Sequence, residues 1–129
     1  MIEIKKNIYN IKWQQIEAFL PLLLQSEPLE VGLYGSLARG DFKASSDIDL
    51  YALYDRVPQG SEKGELYEEA YDRGIDLLIS SHKAFYEAES VFCNNVLKER
   101  KIIWQKGESS DEECKRIVYV VKEEVDRVR

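Results

Sequence analysis

The sequence predicts an α/β (α+β) fold, a small mixed β-sheet flanked by helices, and three observations predict it. Apolar residues at helical spacing alternate along the chain with short runs of period two. Glycine, proline and serine punctuate the junctions between those runs. The 129 residues, 44% hydrophobic and 33% charged, suit one domain and exclude collagen-like, low-complexity and largely disordered chains. No repeat and no linker divides the chain. A single domain is expected over residues 1–129, with its core at about 12–105 and a C-terminal helix at about 110–128.

The elements follow in order. Residues 11–25 place Trp13, Ile16, Leu20, Leu23 and Leu24 at the spacing of an amphipathic helix. Pro21 lacks a backbone donor, so it either kinks that helix or opens a second one. Ser26-Glu27-Pro28 reads as a break. Leu29, Val31 and Leu33 alternate with Glu30, Gly32 and Tyr34, the period of a strand. Gly35-Ser36 ends it, and Leu37–Phe42 fits one helical turn. Residues 47–54, DIDLYALY, are the strongest strand, rich in aromatic and aliphatic side chains. A loop with Pro58 and Gly60 leads to a polar helix over Glu62–Asp72, with Leu66, Ala70 and Tyr71 as its inner face. Ile75–Ile79 is a third strand, bounded by Gly74 and Ser80-Ser81. Phe85, Ala88, Phe92 and Val96 predict one helix across residues 83–99, and Lys101–Lys106 an edge strand. Ser110 followed by Glu113 has the spacing of a capping box. The helix it opens carries Cys114, Ile117, Val118, Val121, Val125 and Val128 as an apolar stripe, either a packing face or a dock for a partner.

Charge narrows the function classes. Lys and Arg total 18 against 24 Asp and Glu, a formal charge of −6. An acidic chain lacks the counterion-release affinity that drives nucleic-acid binding, so direct nucleic-acid recognition is not expected. The longest apolar stretch, Ala18–Leu24, is too short to cross a bilayer and contains Pro21. Residues 1–6 have neither an apolar signal core nor a cleavage site, so a cytoplasmic protein is expected. With two cysteines, Cys93 and Cys114, no CxxC and the single His82, neither a disulfide framework nor a zinc site is supported.

The chemistry concentrates in Leu33–Leu53, LYGSLARGDFKASSDIDLYAL. Asp47 and Asp49, two apart in a strand, leave the same face with about 6–7 Å between them. Two carboxylates this close repel by roughly 3 kcal/mol at an effective dielectric near 20. A divalent cation reverses that sign, and an oxygen-only ligand set favours Mg²⁺ or Mn²⁺. Gly35-Ser36, between a strand end and a helix start, permits close backbone approach and offers amides and a hydroxyl to phosphate. Asp76, flanked by Ile75 and Leu77, is the third acid. Burial among aliphatics without a partner would be costly, which favours a functional role. Three carboxylates on neighbouring strands can hold two ions for chemistry on a nucleoside triphosphate.

Tyr34-Gly35-Ser36, then Asp47-Ile48-Asp49-Leu50, then Ile75-Asp76-Leu77 resemble the three patterns of the minimal nucleotidyltransferases in the DNA-polymerase-β-like superfamily. Ala38-Arg39-Gly40 and Ser46 are similar to that family's GSxARG and SDxD surroundings, and the likeness covers roughly residues 12–105. The resemblance implies Asp47, Asp49 and Asp76 as catalytic and metal-binding residues for two Mg²⁺ ions. It implies ATP as substrate, held by Gly35, Ser36, Arg39 and Ser46. Larger relatives add a helical domain; here fewer than thirty residues follow the core. That size resembles the antitoxin branch, whose members work with a separate HEPN toxin in a type VII-like pair. The activity implied there is transfer of AMP from ATP to a tyrosine of the toxin. Two other readings stay open: a small-molecule, aminoglycoside-like nucleotidyltransferase completed as a homodimer, and an antitoxin that acts by binding alone.

Other residues have plainer roles. Arg39 either neutralises phosphate or pairs with Asp41 or another acid to brace the turn. Lys43 reads as a solvated loop residue and His82 as a helix-start residue. Cys93 and Cys114 read as small core residues, and Tyr51 and Tyr54 as strand formers.

Overall fold

Trp13, Ile16, Phe19, Leu20 and Leu23 recur at three- and four-residue spacing and are all buried, giving the first helix an apolar stripe that seats it on the sheet. The computed structural model describes residues 2–107. Its order is α1 (Ile2–Leu24), β1 (Glu30–Tyr34), α2 (Gly35–Arg39), β2 (Ile48–Tyr54), α3 (Gly60–Asp72), β3 (Ile75–Ser81), α4 (His82–Glu87), α5 (Val91–Glu99) and β4 (Lys101–Gln105). The capping box at Ser110, the stripe after it and Cys114 lie outside the described residues.

The four strands lie in the order β3-β2-β1-β4. β2 runs antiparallel to β1 and parallel to β3, and β4 pairs antiparallel with β1. The sheet is therefore mixed, as expected, and β4 is an edge strand. Both its faces are covered, so β1 is buried at every position rather than alternating in exposure. Period two survives in the choice of face. Val31, Leu33, Leu50, Ala52, Leu77 and Ile79 join the core beneath α1 and α3, while Tyr34, Tyr51 and Leu53 join a second cluster with Phe85 and Val96 of α4 and α5.

Several expectations need correction. The first helix begins at Ile2, not near residue 11, and passes through Pro21 as one helix. Pro21 is exposed near its C-terminal end, with buried Leu20 and Leu23 close by holding that turn in place. The helix expected across residues 83–99 is two helices. Ala88 leaves helical geometry (φ −67°, ψ 135°), and the Ser90 hydroxyl accepts the Cys93 N–H at 3.0 Å to cap the second. Tyr71 does not join Leu66 and Ala70 inside; it is 82% exposed, one helical step round from the buried row. Cys93 is half-buried, packed against the second cluster.

A buried carboxylate ties that second cluster together. Glu30, 3% exposed, accepts hydrogen bonds from Tyr51 Oη (2.5 Å), Tyr86 Oη (2.8 Å to each carboxylate oxygen) and Arg100 Nη1 (3.3 Å). Gly32 makes this possible, because a Cβ there would lie 2.2 Å from the Tyr51 ring. The ring instead crosses the glycine and stacks on Phe85 at 5.2 Å. One acid thus ties β1 and β2 to α4 and to Arg100, the residue that follows α5. Glu30→Ala leaves these donors without their shared acceptor, and a loss of about 3 kcal/mol in unfolding free energy is expected in urea titrations.

Candidate active site

Strand pairing brings three of the marked residues side by side. Tyr34 at the end of β1 is opposite Asp49, and Asp49 is level with Asp76 on the parallel neighbour β3. Adjacent strands lie about 4.8 Å apart. Ile48, Leu50 and Leu77 turn to the α1 face, so Asp49 and Asp76 share the opposite face at one end of the sheet.

Asp47 departs from expectation. It precedes β2, whose ladder starts when the Ile48 N–H donates to the Gly74 carbonyl at 3.0 Å. Its place is fixed by the loop behind it. Lys12 of α1, 8% exposed, donates from Nζ to the Ser46 carbonyl, and Lys5, about two turns earlier on the same helix, donates to the Gly40 carbonyl at 3.1 Å. Burial lowers the Lys12 pKa, and the nearby Asp47 charge works against that shift. Two lysines of the first helix thus pin both ends of the α2–β2 connection.

Gly35 has φ +73°, and a Cβ there would lie 2.1 Å from Asp49 Oδ2. The residue type is set twice, by a left-handed backbone and by a carboxylate occupying the space of a side chain. Its N–H is not open to solvent. It donates to Glu99 Oε1 at 2.9 Å, and Arg39 Nη1 donates to Glu99 Oε2 at the same distance. Arg39 Nε also reaches Asp41 Oδ2 at 3.3 Å. Both bracing contacts expected of Arg39 are therefore present, and Glu99 is a site residue that sequence reading missed. Its sixty-residue separation from Arg39 leaves no local signal. Ser46 lies at the rim, its hydroxyl accepting the Lys43 N–H at 2.9 Å.

These side chains border a cleft of about 710 Å³ lined by Gly35, Ser36, Arg39, Ser46, Asp47 and Asp49 on one side and by Phe92, Asn95, Lys98 and Glu99 of α5 on the other. Asp47 also borders a second hollow, of about 590 Å³, with Asp76, Tyr67 and Tyr71. Asp76 is exposed, not buried, so the cost of burying an unpartnered acid does not apply to it. The strained charge is Asp49. Burial, then Asp76 and Asp47, push its pKa from 3.8 up to about 6, with Arg39 pulling the other way. Tyr34, beside it, is pushed up by burial and by Asp49.

The donor chemistry fits a hard divalent cation. It is all oxygen, and Asp49 is a half-buried carboxylate made costly by two neighbouring acids. Among the described residues, no three His, Cys, Asp or Glu side chains already converge as a metal-holding group.

The model for the family described as polymerase beta, nucleotidyltransferase, matches residues 14–109. The chain belongs to the polymerase beta nucleotidyltransferase family. Among solved structures it is similar to a toxin–antitoxin with AMP-PNP at 20% identity and TM-score 0.52, over 87% of this chain and 88% of that one. It is also similar to the toxin–antitoxin MntA–HepT (17% identity, TM-score 0.45, 92% and 88% covered). A third is a tri-AMPylated HEPN toxin of Shewanella oneidensis in complex with its MNT antitoxin (16% identity, TM-score 0.42, 96% and 88% covered). Comparison with curated proteins found no match. The family match and the first of these likenesses show the nucleotidyltransferase fold. Among the described residues no helix is long and apolar enough to cross a membrane.

In this nucleotidyltransferase domain, Gly35→Ala drives a methyl into the Asp49 carboxylate and strains a left-handed backbone. It should cost about 1–3 kcal/mol in thermal unfolding. The elevated Asp49 pKa gives a signed pH test. Because its folded-state value of about 6 exceeds the ordinary 3.8, the ionised group opposes folding above that value, and the penalty fades as pH falls toward the ordinary one. Asp49→Asn is therefore expected to raise unfolding free energy at about pH 8 by about 1–2 kcal/mol, solvent screening included, and to give no gain near pH 4.

Proposed function

We propose that this domain is a Mg²⁺-dependent nucleotidyltransferase that moves AMP from ATP onto a hydroxyl, the acceptor being a tyrosine of a HEPN toxin for which it is the cytoplasmic antitoxin. The observation that carries the reading is the Asp49 carboxylate, wedged against Gly35 on one side and level with Asp76 on the other. The first of the solved structures is a toxin–antitoxin bound to AMP-PNP, an ATP analogue, and its shape likeness to this chain supports the nucleotide. The HEPN partner follows from the sequence resemblance.

Asp47, Asp49 and Asp76 would hold the metal, two ions being the number the resemblance implies. When bound, Mg²⁺ lowers the pKa of the acceptor hydroxyl and neutralises charge on the departing pyrophosphate. The protein's own work is placement. The Gly35 amide, the Ser36 hydroxyl and Arg39 would take the β- and γ-phosphates, with Ser46 at the rim, while α5 walls the cleft. The acceptor hydroxyl gives up its proton to solvent as its oxygen forms a bond to the α-phosphorus and the bond to pyrophosphate breaks, the electron pair leaving with pyrophosphate. Asp76, exposed beside the second hollow, would complete the metal site and help activate the acceptor hydroxyl. Most of the rate comes from positioning and charge neutralisation, as in other phosphoryl-type transfers.

The test is incubation of the full chain with its HEPN partner, Mg²⁺ and ATP, followed by intact-mass spectrometry. AMP-unit gains on the partner are expected, falling about a thousandfold in rate with Asp49→Asn. Gains that persist in Asp47→Ala/Asp49→Ala overturn the site. Inhibition of the toxin with no mass gain selects binding alone, and AMP transfer to an amino sugar selects the small-molecule reading.

A further inference from the structure

Two of the groups assigned above to phosphate are already held by an anion of the chain itself. Glu99, the last residue of α5, engages the Gly35 amide with one carboxylate oxygen and Arg39 with the other, each at 2.9 Å. A carboxylate and a phosphate offer such donors the same thing, a pair of charged oxygens. Resting on the nucleotide reading above, we propose that Glu99 is an internal stand-in for phosphate, which the triphosphate must displace to bind and which therefore sets the nucleotide affinity of this domain.

The surroundings suit a brake that can be released. The Arg39 side chain is 47% exposed and that of Glu99 23%, so their pair is of the solvent-screened, weak kind. Arg39 keeps a second partner in Asp41 at 3.3 Å when Glu99 leaves. Glu99 borders the open cleft beside Lys98, so its freed carboxylate enters water rather than a sealed interior. Its charge also adds to the repulsion at Asp49 from Asp76 and Asp47. Displacement trades one internal anion for a substrate that brings more charge to Arg39, and the difference between the two is the affinity that remains.

Glu99→Gln isolates this role, since it keeps the length and a hydrogen-bond acceptor for the Gly35 amide and removes only the charge. Calorimetric titration of the full chain with ATP, and in parallel with inorganic tripolyphosphate, should show binding tightened by about threefold to tenfold for both ligands. Glu99→Asp, too short to reach both donors but still charged, is expected to fall between that variant and the wild type, and it carries the same comparison if Glu99→Gln does not fold. Equal or weaker binding in the variants, with wild-type binding intact, makes Glu99 a brace for Arg39 and overturns the inference alone. Absence of binding by either ligand to every form removes the phosphate reading of this cleft, and the inference with it.

Discussion

A carboxylate held where its charge is unwelcome organises this molecule. Asp49 is half-buried on a central strand, level with Asp76 and close to Asp47, and its pKa stands near 6 because nothing nearby fully compensates. The choice of residue around it is narrow for physical reasons. The residue across the bend must be glycine, both for φ +73° and because Asp49 Oδ2 occupies the space of a Cβ. A fold that keeps such a charge, instead of replacing it with an apolar residue of similar size, maintains a site that attracts positive charge.

The rest of the structure brings that carboxylate to a cleft and keeps it there. The α1 stripe anchors one face of the sheet, and the same helix sends Lys5 and Lys12 to carbonyls at both ends of the α2–β2 loop. On the other face, Glu30 gathers Tyr51, Tyr86 and Arg100, fixing where α4 ends and β4 begins. Between these, α5 presents Glu99 to Gly35 and Arg39. Charged contacts thus fix the loops around the cleft, while apolar burial fixes the layers. The two kinds of force are divided between positioning and stability.

Much of this could be read from residue order. The β2 and β3 segments declare themselves by aromatic and aliphatic runs, and an acid interrupts each run near its start. Gly35-Ser36 was recognisable from its place between a strand end and a helix start, and its distance from the acids resembles the family's signature. What escaped were caps, helix ends and burial that the periodicity does not report. Pro21 sits inside a helix because flanking leucines are buried; the break at Ala88–Ser90 exists because a serine caps a new helix; Tyr71 points outward because the stripe on α3 is only two residues wide. Glu30, one of the polar positions in the alternation of its strand, proved to be a buried hub.

Local periodicity and residue chemistry alone determined the element types, the mixed α/β class, the acidic character of the chain and the positions of the glycine-serine bend and the acids. Tertiary structure decided that both faces of the sheet are covered, that Asp76 is exposed while Asp49 carries the shifted pKa, and that Glu99 closes on Gly35 and Arg39. The division has a physical cause. Backbone preference and amphipathic spacing act over a few residues, whereas burial, electrostatic coupling and ion pairing depend on which distant segments the fold brings within a few ångströms.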